Sequence, residues 1–185
     1  MTHTTTKTFL FSLCSVSLAL IACKGDKAGT TNQGTAAKSA DPAAPAKLVY
    51  KPLGGLGLEA QVPDDATIND DSKTAGFPSV TVYAQPTTFV NGAGEDSMSP
   101  QTFEAAKKEI QKDPNPFKRF TKEETTADGW KLEYELESMG DKAPIYGYKV
   151  RFKVEGKPFE CGSNNRSSAE RDAVIKLCSS IRKHA

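Results

Sequence analysis

Hydrolysis at an active site needs a nucleophile with a base beside it, or two carboxylates around the bond to be cut. The chain offers few side chains for either task. Its two histidines are His3 and His184, so a Ser–His or Cys–His couple has no credible base. Glu133, Glu135 and Glu137 alternate along one stretch and could supply a carboxylate pair for glycan hydrolysis. Charges at that spacing also mark the solvated face of a strand, which is the reading adopted for them. Asp64-Asp65 and Asn69-Asp70-Asp71 could offer oxygen ligands to calcium, but their spacing is not that of an EF-hand loop. Acidic residues of this kind ordinarily make turns. Gly54-Gly55-Leu56-Gly57 leads into a strand, so it lacks the helix N-terminus that a phosphate cradle uses. Trp130 opens an apolar strand face and reads as core, and the hydroxyls of Tyr146 and Tyr148 can reach water at a sheet edge. The expectation is therefore no catalytic residue, no metal site and no cofactor.

Chemistry of another kind is written at the N-terminus. Met1 to Lys7 is a short polar stretch with one basic side chain, and an apolar run from Thr8 to Ala22 follows. That run is too short and serine-rich for a good membrane-spanning helix, which needs about 20 mostly apolar residues. It has the order of an export signal. It closes on Leu20-Ile21-Ala22-Cys23, which resembles the lipobox of bacterial prolipoproteins. The resemblance implies that the Cys23 thiolate takes a diacylglyceryl group, that cleavage falls before Cys23, and that fatty acids such as palmitate are added. Two or three acyl chains exceed what reversible binding by a single chain provides, so attachment to the bilayer would be stable. Lys24 stands where an aspartate favours inner-membrane retention in enterobacteria. The outer membrane is therefore the expected address in a two-membrane envelope.

With Cys14 lost in the signal and Cys23 carrying lipid, Cys161 and Cys178 remain as a pair in an oxidising compartment, where a disulfide is the expected state. Charge excludes one class of partner. Lys and Arg number 24 against 23 Asp and Glu, and removing the signal takes away only Lys7. A balanced mature chain lacks the basic footprint of a nucleic-acid binder.

The elements that must carry any site begin after a tether. Residues 24–47 contain no large apolar side chain and cannot offset their ordering entropy, so the sequence reads as a disordered leash. As a random coil it would span roughly 25–30 Å. Three segments result: a signal over 1–22, a lipid-anchored linker over 23–47, and one domain over 48–185.

Within the domain, Trp130, Leu132, Tyr134 and Leu136 alternate with charged residues, as do Tyr146, Tyr148, Val150, Phe152 and Val154. Pairing Leu132 with Phe152 and Tyr134 with Val150 would set Glu133 against Arg151 and Glu135 against Lys149 on an outer face. Glu155-Gly156 suits a two-residue hairpin turn, placing Phe159 opposite Phe152 and Cys161 opposite Val150. Ser167-Ser168-Ala169-Glu170 matches a capping box, followed by a helix with Ala173, Val174, Leu177, Cys178 and Ile181 on one stripe. Earlier, Leu56 to Val62 and Val80 to Ala84 read as strands, and Phe117 to Thr125 as a third. Ser99-Pro100 would cap a helix bearing Phe103, Ala106 and Ile110 that stops before Pro114.

This order predicts an α+β fold: an antiparallel sheet of about five to seven strands with two helices packed on one face, the C-terminal helix disulfide-linked to the last strand. From Leu48 onward the arrangement resembles the PsbP-like fold, and small bacterial lipoproteins with a cysteine-bearing terminal helix look similar. The expected function is a non-enzymatic binding or interaction domain held at the envelope outside the cytoplasm, with the bilayer and an unidentified protein or ligand as partners. The alternative is a carboxylate-dependent envelope hydrolase acting on cell-wall or surface polymers.

Overall fold

A strand that alternates apolar and charged residues can be covered on one side or on both, and here both sides are covered. The computed structural model describes residues 46–185. The expected signal, Cys23 and all but the last two residues of the expected tether lie outside the described residues. The elements are β1 (Leu48–Pro52), β2 (Leu58–Pro63), β3 (Thr67–Asp70), α1 (Ser72–Ala75), β4 (Ser79–Tyr83), β5 (Thr88–Gly92), α2 (Phe103–Gln111), β6 (Phe117–Thr126), β7 (Gly129–Glu137), β8 (Pro144–Val154), β9 (Lys157–Asn165), α3 (Ser168–Ser180) and β10 (Arg182–Lys183). Seven strands form one antiparallel sheet in the order β3-β4-β5-β9-β8-β7-β6, and β1-β2-β10 form a second, smaller one. The α+β class and the antiparallel sheet are as expected.

The helices do not share a face. Val174, Leu177 and Cys178 of α3 pack with Tyr148, Val150, Phe159 and Cys161 of the large sheet and with Leu58, Ala60 and Val62 of the small one. Ala106 and Ile110 of α2 pack with Trp130, Leu132, Tyr134, Leu136 and Ile145 in a separate core. The β7–β8 register explains the division. Leu132 pairs with Lys149, Tyr134 with Gly147 and Trp130 with Arg151, a slip of three residues from the expected pairing. An odd slip exchanges faces. The apolar side of β7 therefore faces α2, while Tyr148 and Val150 face α3.

The expected Glu133–Arg151 and Glu135–Lys149 pairs consequently do not form. Glu133 meets Arg171 of α3 at 3.4 Å, and both side chains are largely buried. Glu135 is held by two nitrogens of Arg119 at 2.9 and 3.1 Å, and Glu137 by Lys118 at 2.7 Å. The loop after β7 fixes this register: Ser138 N–H donates to Ala143 O and Lys142 N–H to Ser138 O, closing a turn that sets Glu137 opposite Pro144.

Local chemistry behaves as expected where it is self-contained. Glu155 and Gly156 take positive φ of 50° and 78° and turn β8 into β9 with Phe152 opposite Phe159 and Val150 opposite Cys161. Ser167 Oγ accepts from Glu170 N–H, and the Glu170 carboxylate accepts from Ser167 N–H, completing the capping box. Replacing Ser167 by Ala should cost about 1 kcal/mol of stability. Urea unfolding would read this as a lower midpoint at unchanged slope. The cap of α2 is Thr102, whose Oγ1 accepts from Ala105 N–H, and not Ser99; Pro100 precedes the helix in a loop. Strands β1, β3 and β5, the short α1 and the two-residue β10 carry no pattern that marked them in advance. Because β10 follows α3 and pairs with β2, the disulfide-bearing strand β9 is not the last.

Cys161 and Cys178 form the disulfide, with Cα atoms 5.8 Å apart. It ties α3 to the middle of the large sheet.

Candidate functional site

Helix α2 is short and covers the β6–β8 side of its face, and beyond it the sheet surface is open. Cross-strand pairing there sets Phe89, Gly162 and Lys149 in one row, and Asn91, Glu160 and Arg151 in the next. Between this surface and the C-terminal end of α2 lies a cleft of about 620 Å³, lined by Phe89, Glu109, Tyr134, Lys149, Glu160 and Asn164 among others. Such a volume lies in the usual range for small-ligand sites.

The hairpin turn at Glu155-Gly156 decides what enters this cleft. With Phe159 and Cys161 committed to the α3 core, Glu160 between them must point to the α2 side. It is 6% exposed. Its Oε1 meets the Lys149 ammonium at 3.3 Å, and the same ammonium meets Glu109 Oε1 at 2.7 Å. Glu160 Oε2 is buried with no hydrogen-bond partner. Burial pushes the Glu160 carboxyl above the usual range, and Lys149 only partly offsets this. Burial pulls Lys149 down, but Glu160 and Glu109 outweigh it and hold the ammonium above its ordinary value.

Lys112 and Asp113 add one charge of each sign at the end of α2, and the remaining lining is neutral. Tyr134 O–H donates to Asn164 Oδ1 at 2.9 Å, and burial raises its phenol out of reach of physiological pH. Ser79 O–H donates to Asn91 Oδ1 at 2.8 Å. The Phe89 ring stands 48% exposed beside Gly162, which presents bare backbone. Arg151 turns away to Ala93 O and Gln101 Oε1, at 2.7 and 2.8 Å, and so holds the loop leading into α2.

The residues singled out from sequence fall elsewhere. Trp130 is core. Tyr148 is buried against α3 on β8, an interior strand of the sheet, while Tyr146 is half-buried. Asp70 accepts from the Gly55 and Ser72 amides, and Asp71 from Asn69 Nδ2 and Thr81 Oγ1. These carboxylates organise the turn between β3 and β4. Gly54, at φ of 48°, leaves room for Asp70, to which an added Cβ would approach within 3.0 Å. Among the described residues no group of three or more His, Cys, Asp or Glu side chains is placed to hold a metal. His184 lies 3.0 Å from Glu59, whose other oxygen meets Arg182 at 2.7 Å, fastening β10 to β2.

By alternation alone Lys149 and Arg151 count as outer charges, and Glu160 stands out in no pattern of its own strand. The signal was present in the hairpin itself: the pairing that sets Phe159 against Phe152 and Cys161 against Val150 also sets Glu160 against Arg151.

Acid should unfold the protein through groups outside this cleft. Glu59 is held below its usual value by hydrogen bonds from His184 and Arg182, Asp70 by those from Ser72 and Gly55, Glu137 by Lys118, and Asp141 by Ser138 and the Ala143 amide. A depressed carboxylate contributes stability above its unfolded value, lost as pH falls through the folded one. Glu160 has the opposite sign, because its raised pKa makes ionisation a cost to the fold. Four groups oppose one, so the melting temperature should fall once pH drops below about 4.5, the ordinary glutamate value. Thermal melts across that range check this; a flat profile would count against these contacts.

Neither a protein-family model nor a curated protein sequence matches the chain. Among solved structures, the solution structure of cyanobacterial PsbP from Synechocystis superposes with a TM-score of 0.51 at 11% identity, covering 80% of this chain and 99% of that one. The chain is PsbP-like in fold. A protein of unknown function from Pseudomonas aeruginosa overlaps more loosely, with a TM-score of 0.36 at 12% identity over 68% of this chain and 87% of that one. At 11% identity the superposition on the cyanobacterial PsbP structure shows a shared architecture, and architecture alone does not carry function.

Proposed function

We propose that this chain is an envelope lipoprotein, anchored through acylated Cys23 and facing outside the cytoplasm, whose PsbP-like domain works by binding. In a two-membrane envelope its place is the outer membrane. The anchor rests on Leu20-Ile21-Ala22-Cys23, and the Cys161–Cys178 disulfide fits an oxidising compartment. The observation that carries binding over catalysis is the bridging of Glu109 and Glu160 by Lys149. The two carboxylates each spend one oxygen on a shared ammonium instead of flanking an open space for a bond to be cut, and Glu160 Oε2 is left as an acceptor for a ligand. What remains is a preformed cleft with a few fixed polar groups, the usual form of a recognition site.

One observation favours the hydrolase alternative: a buried glutamate with a raised pKa facing a second carboxylate in a cleft is how a general acid is often held. Two measurements separate the readings. A photo-crosslinking residue in place of Phe89, activated in intact cells, should capture a discrete partner identifiable by mass spectrometry. Hydrolysis of cell-wall polymer by the wild type that is lost in Glu160→Gln would overturn the binding assignment. The anchor is tested apart from both. Cys23→Ser should move the protein from the membrane to the soluble fraction, and unchanged retention would contradict it.

A further inference from the structure

We infer that the cleft beside α2 takes a neutral saccharide, one or two pyranose rings of a glycan chain, lying with its apolar face on Phe89 and a hydroxyl donating to Glu160 Oε2. This names a ligand class for the cleft and rests on the binding function proposed above.

The first ground is an acceptor without a donor. Glu160 is more than nine-tenths buried, lines the cleft, and leaves Oε2 unpartnered. Buried polar atoms of this kind are rare and costly, and a ligand that donates a hydrogen bond removes the deficit. Charge then narrows the class. A cation approaching Oε2 meets the Lys149 ammonium, already 3.3 Å from the same carboxylate. An anion meets three carboxylates, Glu109, Asp113 and Glu160, against the two cations Lys112 and Lys149. A neutral donor escapes both repulsions.

The neighbouring groups suit a molecule carrying both donors and acceptors. Tyr134 and Ser79 occupy the Oδ1 atoms of Asn164 and Asn91, two residues that line the cleft, which leaves their amide nitrogens to donate. Hydroxyl groups of a sugar can accept from these while donating to Glu160. Shape completes the match. The half-exposed Phe89 ring beside side-chain-free Gly162 makes a low shelf, against which the C–H face of a pyranose can be withdrawn from water. The volume of about 620 Å³ has room for one or two such rings.

The test uses the full chain carrying Cys23→Ser, isotope-labelled and titrated with a neutral N-acetylglucosamine trisaccharide, with a lysine tripeptide in parallel. The saccharide should shift the amide signals of Gly162, Ser163 and Asn164 and bind in the millimolar range or tighter, a free energy of about 4 kcal/mol or more. Phe89→Ala changes an exposed side chain, so its melting temperature should stay near wild type; Asn164→Ala also takes the acceptor from the buried Tyr134 hydroxyl and should melt somewhat lower, and each variant should weaken saccharide binding about tenfold, some 1.4 kcal/mol. No signal shifts up to about 20 mM saccharide would overturn the inference. So would saccharide affinity unchanged in both variants, or cleft shifts caused by the lysine peptide alone. In that last case the binding function stands and only the ligand class fails, so the two claims are read separately.

Discussion

Reducing the Cys161–Cys178 bridge is expected to lower the melting temperature by roughly 10 °C. The bond joins residues 17 apart in sequence. Closing a loop of that size removes about 3 kcal/mol worth of freedom from the unfolded chain in the loop-entropy account. For a domain of this size each kcal/mol moves the transition by several degrees. The native state adds to this, since Cys161 is 1% and Cys178 5% exposed and both belong to the core between the sheet and α3. Cys161→Ala should therefore fall at least as far as chemical reduction, having lost side-chain packing as well. Calorimetry with and without reductant measures the first effect, and the same scan on the variant measures the second. Superimposable melts would mean that α3 is held by packing alone.

Gly162→Ala is the second change with a large expected effect, a loss of about 3 kcal/mol or more. A Cβ at Gly162 would stand 2.3 Å from Tyr148 O and 3.1 Å from Lys149 Cα, which are backbone atoms of the neighbouring strand. No rotamer relieves that contact; β8 and β9 would have to part at the centre of the sheet. Gly94→Ala is the natural control, because an added Cβ there meets nothing within 4 Å. It should change stability by less than about 0.5 kcal/mol. Denaturant unfolding of the pair gives the comparison, and equal midpoints would refute the close approach at Gly162.

What could be read in the sequence was whatever depends on neighbours along the chain. The Ser167–Glu170 capping box, the Glu155-Gly156 turn with its register, and the alternation of β7 are each decided within a few residues. The β7–β8 register lay beyond that range. Alternation tells which residues share a face but not which face a partner strand shares with it. Once both sides of β8 are covered, Lys149 and Arg151 can sit on the α2 side, and their charge no longer marks the outside. The same two-sidedness hid the distribution of the helices, since an apolar stripe on α2 and another on α3 are compatible with one face or two. The edge strand β3 has a single half-buried apolar side chain, Ile68, and so shows no period for the eye to catch.

The cleft follows from the part that was not legible. It exists because α2 covers one half of a face whose other half bears Phe89, Gly162 and Glu160, and because the α3 core claims Phe159 and Cys161 on either side of that glutamate. A one-sided sheet with its charges turned to water would have had no such place. The PsbP-like fold thus supplies a rigid floor, and the disulfide fixes β9, the strand carrying Glu160, from behind.

Whether that cleft works at a membrane surface turns on Cys23. Intact-mass spectrometry of the protein extracted from membranes of its native host should give a chain beginning at Cys23 and carrying a diacylglyceryl group, with or without a further acyl chain on its amine. A mass equal to the unprocessed chain, or a mature chain with a bare Cys23 thiol, would contradict the anchor.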